Sequence, residues 1–479
     1  MSALLVATAL LLPNALAHPA SSHTKWPSPK QLQPSANAVS PRRHYLGSNF
    51  QVPVSVSESD QNDSSDPVAR AKLAIPGLQT WYNDTTGLWE STGWWNGANI
   101  VTIFGDYAKA FPSDATQQEM SRSIFSIAFK DAPVKNPTPG AEKLQTSTAN
   151  TQNTGSEQGF IGNTASAGVP PIGDRYFKYL DPNTFEPHSV LPPSWNKEST
   201  NVARANTKRA TGNANDWLDG FYDDDLWWAL AWINAYDVTQ QTEYLNLAEG
   251  IFLAVAKTWG TNCSNGGIYW SIQKDYVNAI ANELFFSTAA HLANRASSKQ
   301  QYVDWANKSL NWFLASGMLN SNGNINDGLT NKCENNGQTV WSYNQGVILG
   351  GLVELGRADP ASNTNHITQA NMIAKAAITK LADSNGVIHD ACEPNCGADG
   401  AQFKGIFMRN LAQLNAVAPD PAYVKAFSTN AQSVWANDRK VQGGSSFFSV
   451  HWAGPFVDPV NAAMQSSAME ALLGAAVTK

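Results

Sequence analysis

Asp223, Asp224 and Asp225 form an unbroken run of carboxylates between Tyr222 and the pair Trp227-Trp228, with Asp219 just upstream. Acids crowded among aromatic rings repel one another and lose solvation, which drives their pKa values apart. One site then holds both a proton donor and an ionised carboxylate, the equipment of general acid–base or nucleophilic catalysis. The competing reading is structural, because acidic residues at a helix start complement the macrodipole and are commonly solvated. Similar clusters of polar and aromatic residues recur at Trp94-Trp95-Asn96, Trp341-Ser342-Tyr343-Asn344-Gln345-Gly346 and Gln402-Phe403-Lys404-Gly405. Any one of them could be capping or packing. Their recurrence at the starts of helical segments points to a shared cleft.

The elements that must position these residues are helices. The segment 216–238 carries the aspartates, and its Ala229, Leu230, Ala231, Ile233 and Ala235 fit a period near 3.6. Helical signals precede it over 71–82, 94–110 and 117–129. They follow it over 242–259, 278–295, 301–317, 340–356, 365–383, 402–418, 421–437 and 458–477. Strand-like alternation is confined to pieces such as 267–272, and Gly, Asn, Pro and Asp fill the links. About twelve helices on short links imply antiparallel neighbours, and no solenoid period is present. The expectation is an all-α single domain built as a double ring, with the starts of the inner helices at one mouth. A helical-repeat scaffold would show the same count. Two stretches stand apart. Residues 18–67, rich in Ser, Pro, Asn and Gln, read as a disordered leader. Residues 132–212 read as a long, partly disordered loop insertion covering one face.

A chain of 479 residues that is 42% hydrophobic and 15% charged can bury a large core. Its net charge of −7, with Lys and Arg scattered, argues against nucleic acid as a partner. The 17 Trp and 13 Tyr are first of all core material, yet flat rings also stack on sugar faces. Residues 1–17 form a short apolar run ending in Ala15-Leu16-Ala17, the pattern of a secretory signal peptide cut before His18. No other run is long enough to span a bilayer, and 472–477 is too short for a lipid-anchor signal. A secreted, extracellular monomer with no membrane anchor is therefore expected. Asn62, Asn83, Asn262 and Asn307 each begin an N-x-Ser/Thr glycosylation sequon. The four cysteines allow three pairings. Cys392 and Cys396 are near enough to close a small loop, which leaves Cys263 with Cys333. The lack of a CxxC and the scatter of eight histidines argue against a metal site. Neither GxSxG nor HExxH occurs.

Five blocks carry a more specific signal: TGWWNGAN at 92–99, YDDDLWWALA at 222–231, NAIANEL at 278–284, YNQGVILGG at 343–351 and QFKGIFMRN at 402–410. In this order they resemble glycoside hydrolase family 76, the endo-acting α-1,6-mannanases, in its fungal secreted branch, over nearly all of 71–479. The resemblance implies an (α/α)6 barrel, α-mannan as the partner, and no metal or organic cofactor. It places the catalytic pair on Asp223 as nucleophile and Asp224 as general acid/base. Asp224-Asp225 is also an adjacent pair, so the register stays open by one. Tyr222 directly before Asp223 and the spacing to Trp227-Trp228 favour the first. Retaining glycosidases hold their carboxyls roughly 5–5.5 Å apart and inverting ones roughly 6.5–9.5 Å, so adjacent aspartates suit retention. Trp94, Trp95, Asn96, Tyr222, Asp225, Trp228, Asn282, Tyr343, Asn344, Gln345 and Lys404 are the expected substrate contacts. Trp227 is a further stacking candidate. Arg409 and Glu283 could contact substrate or serve in buried pairs. Two rival readings remain, a cell-wall transglycosylase and an inactive carbohydrate-binding relative.

Overall fold

A computed structural model describes residues 65–139 and 212–478, together with the backbone of two short paired strands at Phe177–Leu180 and Pro187–Ser189. Among the described residues it contains twelve helices: α1 (Pro67–Gln79), α2 (Trp94–Ala110), α3 (Ala115–Asp131), α4 (Tyr222–Thr239), α5 (Thr242–Ala256), α6 (Ala279–Ala293), α7 (Lys299–Ala315), α8 (Ser342–Ala358), α9 (Asn363–Leu381), α10 (Phe403–Val417), α11 (Pro421–Asn437) and α12 (Ala462–Val477). The proposed signal peptide and nearly all of the leader, with Asn62, lie outside the described residues, as does most of the 132–212 insertion.

The even-numbered helices ring one axis. α2 packs on α4, α4 on α6, α6 on α8, α8 on α10 and α10 on α12, and α12 closes back on α2. The odd-numbered helices lie outside, α1 and α11 against α12, α3 against α2, α5 against α4, α7 against α6 and α9 against α8. This is the expected (α/α)6 barrel. Burial follows position. α8 is buried without a break from Asn344 to Gly356, as a helix enclosed on all sides must be. Outer α7 buries only a stripe of Tyr302, Val303, Ala306, Ser309, Leu310 and Phe313. Two glycines let the inner helices touch near the mouth. A Cβ on Gly346 would stand 2.6 Å from the Phe407 Cα, and one on Gly405 would stand 2.6 Å from the Ser467 Cα.

Local chemistry sets the helix starts. Asp66, Asp114, Asn278, Asp420 and Asn461 accept from the first free backbone N–H groups of α1, α3, α6, α11 and α12. Pro67 and Pro421 occupy first helical positions, where no N–H is needed. The linkers before two inner helices are fixed by one device. On α6, the Asn282 Oδ1 accepts from Ile268 N (2.8 Å) while its Nδ2 donates to Ile268 O (2.9 Å) and Asn278 O (2.8 Å). On α8, the Gln345 Oε1 accepts from Ile325 N (2.8 Å) and its Nε2 donates to Ile325 O (2.9 Å) and Trp341 O (3.0 Å). Each amide thus satisfies both backbone groups of one buried isoleucine and a carbonyl one turn back in its own helix. Disulfides Cys263–Cys333 and Cys392–Cys396 secure other parts of the linkers.

The helix carrying the aspartates starts at Tyr222 rather than Asp216. A short 3-10 turn at Ala214–Asp216 and an extended approach precede it, because Gly220 takes φ +91° and Phe221 pairs across to Ser271. A hairpin of Arg439–Gln442 with Ser445–Phe448 is likewise absent from the sequence reading.

Candidate active site

The three aspartates fill the first turn of α4, at the end of the barrel where the inner helices begin. The approach to that turn is braced from several sides. Asn136, in the first described residues after α3, donates to Asp216 O and Leu218 O (3.0 Å each). Asp225 Oδ1 accepts from Asp219 N (2.9 Å), and Asp219 Oδ1 accepts from Phe221 N (2.9 Å). Tyr222 N donates to Trp270 O, and Ile272 N to Gly220 O, both at 3.0 Å. This last pairing lays the 270–272 linker beside the turn and brings the Trp270 indole to the first aspartate, where Nε1 donates to Asp223 Oδ2 (3.1 Å). Asp223 is partly exposed, whereas Asp224 and Asp225 are buried.

Tyr343 opens α8 and lies flat on Phe403 of α10, with centroids 3.7 Å apart and planes 11° from parallel. Burial, and then the nearby carboxylates of Asp327, Asp223, Glu283 and Asp399, hold its phenol far above the ordinary range. One tyrosine is therefore surrounded by acids from four separate segments. Asp399 accepts from Trp95 Nε1 (2.8 Å). Asp327 accepts from the Tyr276 hydroxyl, and burial raises its carboxyl despite bonds from Tyr276 and Trp341. Trp95 stacks on Trp227 (5.8 Å) and contacts Phe403 (6.2 Å), and Trp341 meets Phe403 edge-on (5.5 Å). The result is an aromatic-walled mouth rich in carboxylates. Asp223 and Tyr343 are among the partly exposed members of this cluster, and the Trp and Phe rings pack behind them.

Several expected contacts lie elsewhere. Trp94 and Trp228 are core, packed with Trp217 and Trp232 between α2 and α4. Asn96 is wholly buried, accepting from Gly93 N and donating to Gln402 Oε1. The amides of Asn282 and Gln345 are committed to the linker isoleucines, which leaves neither free to grip a hydroxyl. Lys404 is buried, with Nζ on Glu393 Oε1 (2.6 Å) and Val450 O (2.8 Å) and over the Trp452 ring. Tyr222 and Asp225 are buried in the first turn of α4, and Asn344 is buried within α8. Arg409 has the buried acid foreseen as one of its two roles. It pairs with Glu470 (3.2 Å) and donates to Asn99 Oδ1 (2.6 Å), while burial pushes the Glu470 carboxyl up to about 8. Glu283 is buried, and desolvation, with Asp327 nearby, raises its pKa well above the usual carboxylate range. Of the expected set, Trp95 and Tyr343 remain at the mouth beside Asp223. Asn83, Asn262 and Asn307 are at least partly exposed.

Trp270, Asp327 and Asp399 are site residues that sequence reasoning missed. All three come from linkers, where no period marks a side chain's direction. A cavity of about 380 Å³ opens at the opposite end, among Asp106, Asp237, Arg295, Glu354 and Arg357, with Trp227 and Arg409 also lining it. It belongs to the closing ends of the inner helices, away from the acid pair.

Comparison with known proteins agrees with this fold. The model of glycosyl hydrolase family 76 matches residues 193–479. A mannan endo-1,6-alpha-mannosidase of Candida albicans is 29% identical over 217 residues, 41% of this chain and 47% of that protein. A putative mannan endo-1,6-alpha-mannosidase of Schizosaccharomyces pombe is 29% identical over 212 residues, 41% of this chain and 48% of that protein. The chain thus spans about half the length of the curated relatives it matches. Among solved structures, an inactive variant of the Salegentibacter alpha-1,6-mannanase, with two consecutive aspartates changed to asparagine, binds alpha-1,6-mannotriose. It superposes with a TM-score of 0.61 at 15% identity, over 86% of this chain and all (100%) of that one. Dfg5 from Chaetomium thermophilum, in complex with glucosamine, gives 0.60 at 17% identity over 87% and 92%. At these identities the likeness is one of fold.

Proposed function

This chain belongs to glycosyl hydrolase family 76, and from that membership we propose that it is a secreted endo-α-1,6-mannosidase that cuts internal mannan linkages with retention. The observation that carries the proposal is the consecutive pair Asp223-Asp224 at the start of an inner helix, facing an aromatic mouth. The third aspartate is taken up in shaping the approach to that helix, which supports the earlier register. The Salegentibacter variant lends further support, since it is inactive with two consecutive aspartates replaced.

In the proposed mechanism the Asp223 carboxylate, oriented by the Trp270 indole N–H, attacks the anomeric carbon. Asp224 protonates the departing glycosidic oxygen, and the C–O bond breaks to leave a covalent mannosyl-enzyme. Asp224, now ionised, takes a proton from water as the water oxygen attacks the same carbon, which restores both acids. Tyr343, backed by the buried Phe403 ring, supplies a flat surface for a sugar face. Secretion rests on the signal-like run 1–17, the sequons and the two disulfides.

The test is product analysis on unbranched α-1,6-mannan with Asp223→Asn and Asp224→Asn in parallel. Short oligosaccharides, α-configured when first released, are expected from the parent, and each variant should be slower by about 10²–10⁴-fold. Longer, rearranged products would instead establish transglycosylation. Sugar binding with no product from the parent protein would sink the catalytic reading.

A further inference from the structure

The loops on the far side of the mouth from α4 gather a second group of chemically able side chains. His389 and Glu393 lie in the α9–α10 linker, and His451 lies in the linker before α12. One ligand atom from each comes within 4.8 Å of the others, and all three residues are partly exposed. His389 Nδ1 and Glu393 Oε2 are 3.0 Å apart. Two donors each about 2.0–2.2 Å from one zinc ion stand about 3–3.5 Å apart, so this pair is already near ligand spacing.

The surroundings are those of a supported ligand set. The other ring nitrogen of His389, Nε2, faces Asp383 Oδ2 (3.4 Å), a carboxylate–histidine pairing that orients the ring with Nδ1 toward Glu393 Oε2. The second oxygen of Glu393 is fixed by Lys404 Nζ (2.6 Å) and Asp390 N (2.9 Å). Cys392–Cys396 closes the loop around Glu393. The acidic groups near Lys404 are Glu393, Asp390 and Asp438, and Glu393 is the one in direct contact with its ammonium. Two imidazoles with one carboxylate suit a borderline cation such as zinc and do not suit calcium or magnesium.

We propose that His389, Glu393 and His451 bind one zinc-class divalent cation, with solvent in the fourth position. The ion takes no part in glycosidic cleavage. It joins two mouth linkers, one of which also carries Asp399 and so holds Trp95.

The experiment uses untagged full-length protein stripped with a chelator. Zinc chloride is titrated calorimetrically, and cobalt(II) is followed by its visible spectrum. One zinc per chain is expected, with a tetrahedral-type cobalt band and a raised Tm. His389→Ala and His451→Ala should each abolish both signals, and Asp383→Asn should weaken binding about 10–100-fold. No saturable zinc binding by the parent protein would overturn the proposal. So would equal affinity in His451→Ala, or preference for calcium. The parent titration decides even if a variant folds poorly, and no outcome depends on mannan cleavage.

Discussion

Single side chains at the mouth divide into those that face ligand space and those that build its walls, and residue type alone does not separate them. Asn282 and Gln345 look like sugar-binding amides in the sequence, yet each replaces a missing strand partner for one isoleucine. Asn282→Ala would strand the buried N–H and C=O of Ile268, at about 1–3 kcal/mol for each group left unpaired. The expected result is a lower urea midpoint. A raised KM with unchanged stability would mean that the amide contacts substrate after all. Asp438 gives a pH signature. It is wholly buried, and desolvation lifts its carboxyl to about 7 against the pull of Ser449 and Lys404. Its native pKa lies above the unfolded value, so the native state holds this proton more tightly. The resulting stability is full below pH about 4 and is lost as pH rises toward 7. Between pH 5 and 8, Tm should therefore fall less steeply in Asp438→Asn than in the parent. The acidic run 223–225 stood out because three adjacent acids among aromatics are rare. Trp270, Asp327 and Asp399 did not, since each acquires its role only when a linker folds back.

Helices were the most legible elements because apolar spacing persists over several turns. α2 and α11 occupy the bounds their periodicity predicts, 94–110 and 421–437. The start of α4 was misread because Trp217 and Leu218 extend its apolar pattern upstream, while Gly220 and the bridge from Phe221 to Ser271 break the helix. The 439–448 hairpin was overlooked although Gly443-Gly444 marks its turn, since its first strand is mostly exposed and lacks alternation. At the closing end of the barrel three inner helices depend on one side chain. Arg295, just beyond α6, holds Asp237 of α4 through two bonds (2.7 and 2.8 Å) and Glu354 of α8 through a third (2.9 Å). Burial opposes the charge on Glu354, but His291 and Arg295 outweigh it and hold its pKa down to about 2. Arg295→Met would remove one of the two guanidinium partners of that buried carboxylate, a loss of up to about 3–5 kcal/mol. Chemical denaturation checks this, and a loss below about 1 kcal/mol would show that Arg357 alone suffices for Glu354.

For the molecule as a whole, the ring of six inner and six outer helices followed from counting segments and noting short links. Closure of the ring is a property of packing that no single segment reveals. Cys263–Cys333 spans a separation of 70 residues across α6 and α7. Removing it by a double Cys→Ala change should cost about 4 kcal/mol on loop-entropy grounds, read as a lower Tm with the helical fold retained at 25 °C. The closing contact has a consequence in time as well as in space. α12 completes the ring between α10 and α2, and Gln465 on α12 reaches back to Ala74 O across 391 residues. At about 5–20 residues per second, synthesis of that interval takes about 20–80 s. Until it is complete, the faces of α2 and α10 that α12 will cover have no partner from that helix. A slow elongation pause late in translation is therefore expected to prolong that exposure and to raise the aggregated fraction rather than lower it.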